Sequence, residues 1–106
     1  MKVVRIHHHN QMFFELQKTP EGVAELMSMT EEHNKWLAKL KEEGKFIEGY
    51  FMPGDASSVL IFEAQDEHDI EMFRLSDPLE KTFEMKMQVA LTLDQHLKAA
   101  MEKTNW

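Results

Sequence analysis

The chain contains no cysteine, which excludes disulfides, thiolate nucleophiles and cysteine-ligated zinc. Its chemistry must come from histidine, carboxylates, lysine, arginine, serine, threonine or tyrosine. Basic residues are few: 12 lysines and arginines stand against 19 acids, for a formal net charge of -7. That balance repels a phosphate backbone, so no nucleic-acid partner is expected. No apolar run approaches the roughly 20 residues needed to cross a bilayer, and no basic-apolar-small leader opens the sequence. A cytoplasmic protein with no membrane partner is therefore expected. Internal repeats and low-complexity tracts are absent as well.

What is present is ordinary globular composition, with 42% apolar and 29% charged residues over 106 positions. That length suits one core, and a single domain over residues 1–106 is expected. Lys2 to His9 (KVVRIHHH) carries β-branched residues and no breaker, and reads as a strand. Asn10 to Lys18 fits a strand extension or a short helix and stays unassigned. Thr19-Pro20-Glu21 supplies an N-cap oxygen, a proline at the first helical position and an acid at the positive helix end. Val23, Leu26, Met27, Thr30, His33, Leu37 and Leu40 then recur at helical spacing until Gly44, a C-cap signal. Phe46 to Met52 and Ser58 to Ala64 read as a hairpin around Pro53-Gly54-Asp55. Asp66 caps a second helix through about Leu75, Phe83 to Leu93 alternates as a fourth strand, and residues of about 94–106 carry Leu97, Ala100 and Met101 at helical spacing.

The order strand, helix, strand, strand, helix, strand, with a helical tail, is the split βαβ arrangement: an α+β, ferredoxin-like fold with a four-stranded antiparallel sheet. Two helices cover only one face of that sheet. A second copy's sheet laid on the other would make a homodimeric α/β barrel. Alternation places Arg5, His7, His9, Glu48, Tyr50, Lys86 and Gln88 in the barrel interior, with the apolar sets facing the helices. These polar side chains would also suit the wet face of a monomer's open sheet, but an exposed sheet face is a common association surface and the dimer is the reading adopted.

His33 lies within the apolar stripe of the long helix, four residues before Leu37. An imidazole at the edge of a core, partnered by a carboxylate, has the right acidity for proton transfer near neutral pH. Asp77, just past the second helix, is the candidate partner. Spacing alone also fits a structural core histidine and a turn aspartate before Pro78.

The residues His33-Asn-Lys-Trp-Leu37-Ala-Lys-Leu40-Lys-Glu-Glu-Gly44-Lys, then Gly49, Ser58-Val-Leu-Ile-Phe62-Glu-Ala and Ser76-Asp77-Pro78-Leu79 resemble the YCII-related family over about Glu31 to Leu93. The resemblance implies a ferredoxin-like fold, a dimer, and a His-Asp pair in the cleft between subunits, with His33 and Asp77 in those roles. The family's Gly-Pro of the second strand is Gly49-Tyr50 here and the spacing before the third strand is shorter, so Tyr50 would reshape the pocket.

Leu40-Lys-Glu-Glu-Gly44-Lys-Phe46, then Asp77-Pro78-Leu79 through Phe83 to Leu93, and His96 are similar to the muconolactone isomerase family, which shares the dimeric barrel. This likeness implies metal-free acid-base chemistry on a small lactone in a pocket between subunits. Alternation, not a matched motif, makes Glu48, Tyr50 and Lys86 the lining candidates. The family's C-terminal His-Pro is absent, since Leu97 follows His96.

His7-His8-His9 invites a metal reading, but only His7 and His9 share a strand face and no third ligand has a recognisable spacing. Neither a metal nor a cofactor is expected. The nine methionines read as core filler, or as the lining of an adaptable pocket. Acid runs such as Glu42-Glu43 interleave with lysines as solvated helix faces do.

The function expected is acid-base catalysis on a small organic acid, lactone or aromatic-derived metabolite. His33 would exchange a proton, Asp77 would orient it, and Arg5 or Lys86 would be available for a substrate carboxylate. The rival is a non-catalytic metabolite-binding or assembly domain of the same fold, because function resides in sites and not in scaffolds. Monooxygenase chemistry also occurs on this barrel, with no motif here to single it out.

Overall fold

A computed structural model describes residues 1–104. The elements run β1 (Lys2–His9), α1 (Gln11–Leu16), α2 (Pro20–Glu42), β2 (Phe46–Met52), β3 (Ser57–Glu63), α3 (Glu67–Leu75), a short 3-10 turn (Glu80–Thr82), β4 (Phe83–Ala90) and α4 (Leu93–Thr104). The four strands form one antiparallel sheet in the order β2-β3-β1-β4. This is the expected ferredoxin-like α+β fold, with a helix at the C-terminal end.

Local chemistry sets most boundaries. The Thr19 side chain accepts from the Gly22 amide to open α2, and Asp66 does the same for the Asp69 amide at α3. Helix α2 closes on Gly44, whose φ of 73° only glycine adopts without strain. The Lys45 amide donates to the Leu40 carbonyl and the Gly44 amide to the Lys41 carbonyl, the paired bonds of a Schellman motif. The unassigned stretch after β1 holds α1, capped by Asn10, whose side chain accepts from the Phe13 amide. Gly22 lets α1 meet α2: a Cβ there would sit 1.9 Å from the Leu16 carbonyl oxygen.

The core lies between the sheet and helices α2 and α3. Val3, Leu60, Phe62, Ala64 and Phe73 are buried there, with Trp36, Leu37 and Leu40 of α2 packed against them. Phe62 stacks on Phe73 with ring centroids 4.4 Å apart.

Two expectations are corrected. Strand β4 ends at Ala90, not Leu93, because Ala90 pairs with Lys2, where β1 begins. Thr92 instead opens α4: its hydroxyl accepts from the Gln95 amide and the Gln95 side chain accepts from the Thr92 amide, a capping box. Asn105 and Trp106, included in the expected tail helix, lie outside the described residues.

The other correction concerns the faces of β1. Arg5, His7 and His9 lie on the helix-covered side with Val3, while Val4, Ile6 and His8 lie on the uncovered side. The register shows it: Val3 pairs with the buried Phe62 and Arg5 with the buried Leu60. The physical reason is a tertiary partner, described below, that takes in the Arg5 charge. The uncovered face consequently has an apolar centre, with Val4 opposite Ile61 and Ile6 opposite Val59. Glu48 and Tyr50 flank it on β2, and Lys86 and Gln88 on β4, as alternation predicts for these four. Every residue from Leu93 to Lys103 is exposed, Leu93 and Leu97 included. Among the described residues, no helix is long and apolar enough to cross a membrane.

Candidate functional site

The buried Arg5 guanidinium organises one end of the core. Its Nη2 donates to Asp77 Oδ2 at 2.5 Å, its Nη1 to the Phe73 carbonyl at 2.9 Å, and its Nε to His7 Nδ1 at 3.3 Å. Arg5 and Asp77 side chains are both 0% exposed. The other Asp77 oxygen, Oδ1, accepts from the Leu79 amide at 2.8 Å and meets His33 Nδ1 at 2.7 Å.

Two elements bring His33 and Asp77 together. His33 sits on the inward side of α2, and Asp77 follows the last turn of α3. Trp36, one helical turn after His33, donates its indole N–H to Ser76 Oγ at 2.9 Å, and the Ser76 hydroxyl donates in turn to the Met72 carbonyl. This clamp ties α2 to the end of α3 and holds Asp77 beneath the imidazole.

Burial by itself would raise the Asp77 carboxyl; the His33 hydrogen bond and the Arg5 charge outweigh it and hold the group below the ordinary 3.8. Burial lowers the Arg5 pKa, with the Asp77 charge opposing that shift. An ionised Asp77 accepts, so His33 Nδ1 carries a proton toward it and Nε2 is the ring nitrogen turned away from the carboxylate.

His7 is pushed down to about 3 from 6.5, first by burial and second by the Arg5 charge. It is therefore neutral at physiological pH. Above pH 6.5 both folded and unfolded chains leave this ring neutral; below it the unfolded chain takes a proton the folded chain refuses. From this group, stability is expected to fall by about 1.4 kcal/mol per pH unit as acid is added between pH 6.5 and about 3, and no further below that. Urea unfolding at successive pH values measures the slope, and NMR titration of the His7 ring identifies its source; a ring that titrates near its ordinary value would refute the assignment.

His7, His9 and His33 reach a small cavity of about 160 Å³, lined also by His8, Phe51, Ala56, Ser58 and Phe83. Phe83 sits among the imidazoles, with centroids 4.0 Å from His7, 5.6 Å from His9 and 6.1 Å from His33. His9 stacks on Phe13 at 3.5 Å, and burial, then His8, lowers its pKa. Ala56, in the β2–β3 turn, has φ 55°, a left-handed backbone unusual for a residue with a Cβ.

The sequence-derived site is thus split. His33, Asp77, Arg5, His7 and His9 gather at one end of the helix-covered core, whereas Glu48, Tyr50 and Lys86 occupy the opposite sheet face. Lys86 lines a separate hollow there, with Ile6, His8, Glu84 and Met85. Arg5 is not available for a substrate carboxylate, because all three of its nitrogens are engaged and none of the residue is exposed. Alternation places Phe83 with the apolar, helix-facing set of β4 and carries no signal for Phe51, Ala56 or Ser58 as site residues. The only available signal was the alternation that sets Phe83 on the same side as Met85. Among the described residues, no group of three or more His, Cys, Asp or Glu is arranged to hold a metal ion.

No family model and no curated protein matches this chain. A solved structure does. It is 5-chloro-2-hydroxyhydroquinone dehydrochlorinase from Burkholderia phenoliruptrix AC1100, in complex with 2,5-dihydroxybenzoquinone. The match covers 89% of this chain and 97% of that one at a TM-score of 0.62 and 18% sequence identity, a likeness of fold.

Proposed function

We propose that this chain is a metal-free acid-base enzyme of the dimeric α/β-barrel type, in the manner of the YCII-related and muconolactone isomerase families. It would act in the cytoplasm on a small oxygenated metabolite: an organic acid, a lactone or an aromatic-derived ring. The observation that carries this reading is the 2.7 Å contact between His33 Nδ1 and Asp77 Oδ1, with the His33 side chain 11% exposed at the edge of a cavity. Asp77 fixes the ring's tautomer and stabilises it when it charges, and Nε2 takes and returns the substrate's proton. Arg5 keeps Asp77 ionised and in place, a positioning role.

The fold likeness to an enzyme seen with a dihydroxybenzoquinone supports an oxygenated ring as the ligand class. A cavity of about 160 Å³ suits a molecule of that size. The partner in this reading is a second copy of the chain, laid on the uncovered sheet face. Its apolar centre, and the exposed Leu93 and Leu97 of α4, are the surfaces that a copy would cover.

The test is turnover and solvent-deuterium incorporation with 5-chloro-2-hydroxyhydroquinone, 2,5-dihydroxybenzoquinone and small enolisable lactones. His33→Gln is expected to lower the rate by about 10²–10⁴-fold while circular dichroism and the unfolding midpoint stay close to the parent's. A folded His33→Gln protein with parental turnover would overturn the assignment.

A further inference from the structure

We infer that His7 is a second catalytic group, an imidazole locked as a neutral Nε2–H donor that holds a carbonyl or enolate oxygen of the substrate while His33 moves the proton. The inference rests on the acid-base reading of His33 and extends it to a substrate class, enolisable carbonyl compounds.

The lock is geometric. A guanidinium has N–H donors and no acceptor. Arg5 Nε is 3.3 Å from His7 Nδ1, so that ring nitrogen must offer its lone pair. A neutral imidazole then carries its single proton on Nε2. Arg5 is itself held by Asp77 and the Phe73 carbonyl, so the ring cannot readily exchange tautomers. The opposite end is free for a ligand. Among the described residues no buried side-chain nitrogen or oxygen lacks a partner. His7 Nε2 has no partner among those residues, so in this 6% exposed side chain Nε2 is open to water or ligand.

Asp77 imposes the reverse arrangement on His33: the carboxylate accepts from Nδ1, so a neutral ring keeps its lone pair on Nε2. One carboxylate–guanidinium pair therefore sets two imidazoles in opposite tautomers on one cavity, a donor and an acceptor, with Phe83 between them. A ligand that satisfies both needs an oxygen acceptor and an acidic proton close together. In an enolisable carbonyl compound, the C–H proton moves to His33 Nε2. The C–H electron pair becomes the C=C bond, and the carbonyl π pair moves to the oxygen that His7 Nε2–H holds. Return of the proton to the same or a conjugated carbon closes the cycle, with no oxidant consumed. A neutral donor suits this step, because it stabilises the oxyanion without surrendering a proton to it.

Long-range proton–nitrogen NMR of the full chain with labelled histidines reads the tautomers directly and needs no variant. The expected spectrum shows His7 with an unprotonated Nδ1 and a protonated Nε2, and His33 with the reverse. Titration with α-angelica lactone, an enolisable carbonyl probe, is expected to shift the His7 Nε2–H signal. His7→Gln is expected to lower kcat by about a hundred-fold or more, with a smaller change in KM. A His7 protonated on Nδ1, or an Nε2–H signal unmoved by saturating probe, overturns this proposal while leaving His33 as the base. The converse pattern, with the His7 signals as expected and turnover surviving His33→Gln, removes the acid-base reading instead.

Discussion

Asp77→Ala is expected to lower the free energy of unfolding by about 3–5 kcal/mol, the range for breaking one side of a buried ion pair. The carboxylate serves Arg5, His33 and the Leu79 amide, and without it the Arg5 charge remains at 0% exposure with only neutral partners. Urea or thermal unfolding followed by circular dichroism measures the loss. The double variant Arg5→Met, Asp77→Ala separates the causes: removing the stranded charge is expected to restore part of the stability, since an apolar side chain of similar length suits that site. Turnover should stay absent in the double variant, because His33 still lacks its orienting carboxylate. A single variant that costs less than about 1 kcal/mol would mean that the pair is hydrated and not the core element described here.

Ile6→Lys is expected to turn a dimer into a monomer. Ile6 stands on the uncovered sheet face beside Val59 and Lys86, 38% exposed in the isolated chain. In a monomer a lysine there reaches water at little cost. Beneath a second sheet it would be desolvated without a partner, once in each protomer, weakening association by roughly a thousand-fold or more. Sedimentation velocity across a concentration series distinguishes the cases, with circular dichroism as the control for folding. A parent chain that stays monomeric at high concentration, or a variant that associates as the parent does, would overturn the dimer. The outcome also bears on the His33 cavity. That cavity lies at the end of the helix-covered core, so the His7 and His33 imidazoles and Phe83 come from one chain, and loss of the dimer leaves them in place.

The same residues show how far sequence patterning reaches. Helix boundaries were legible because they depend on neighbours: Thr19-Pro20 and Gly44 bracket α2, and Asp66 opens α3, through bonds that span only a few residues. The ferredoxin-like fold class followed from the order of elements. Thr92-x-x-Gln95 carried an equally local signal for the start of α4, masked by the apolar alternation running through Leu91 and Leu93. His33 was marked by its place in an apolar stripe, and Asp77 by its position after α3; their 2.7 Å separation is a matter of how α2 and α3 pack.

By itself, the sequence determined which residues of β1 share a side, since alternation is a property of the extended backbone. Read by polarity it turns the wrong side inward, because Val4 and Ile6 make one face more apolar than the face that carries Val3 with Arg5, His7 and His9. Only the tertiary structure decided the inward side, by bringing Asp77, 72 residues away in the chain, to meet Arg5. A charge enters a core only where an opposite charge is waiting. Once Arg5 turned inward, the pleat carried His7 and His9 with it and left the apolar side of the strand facing out.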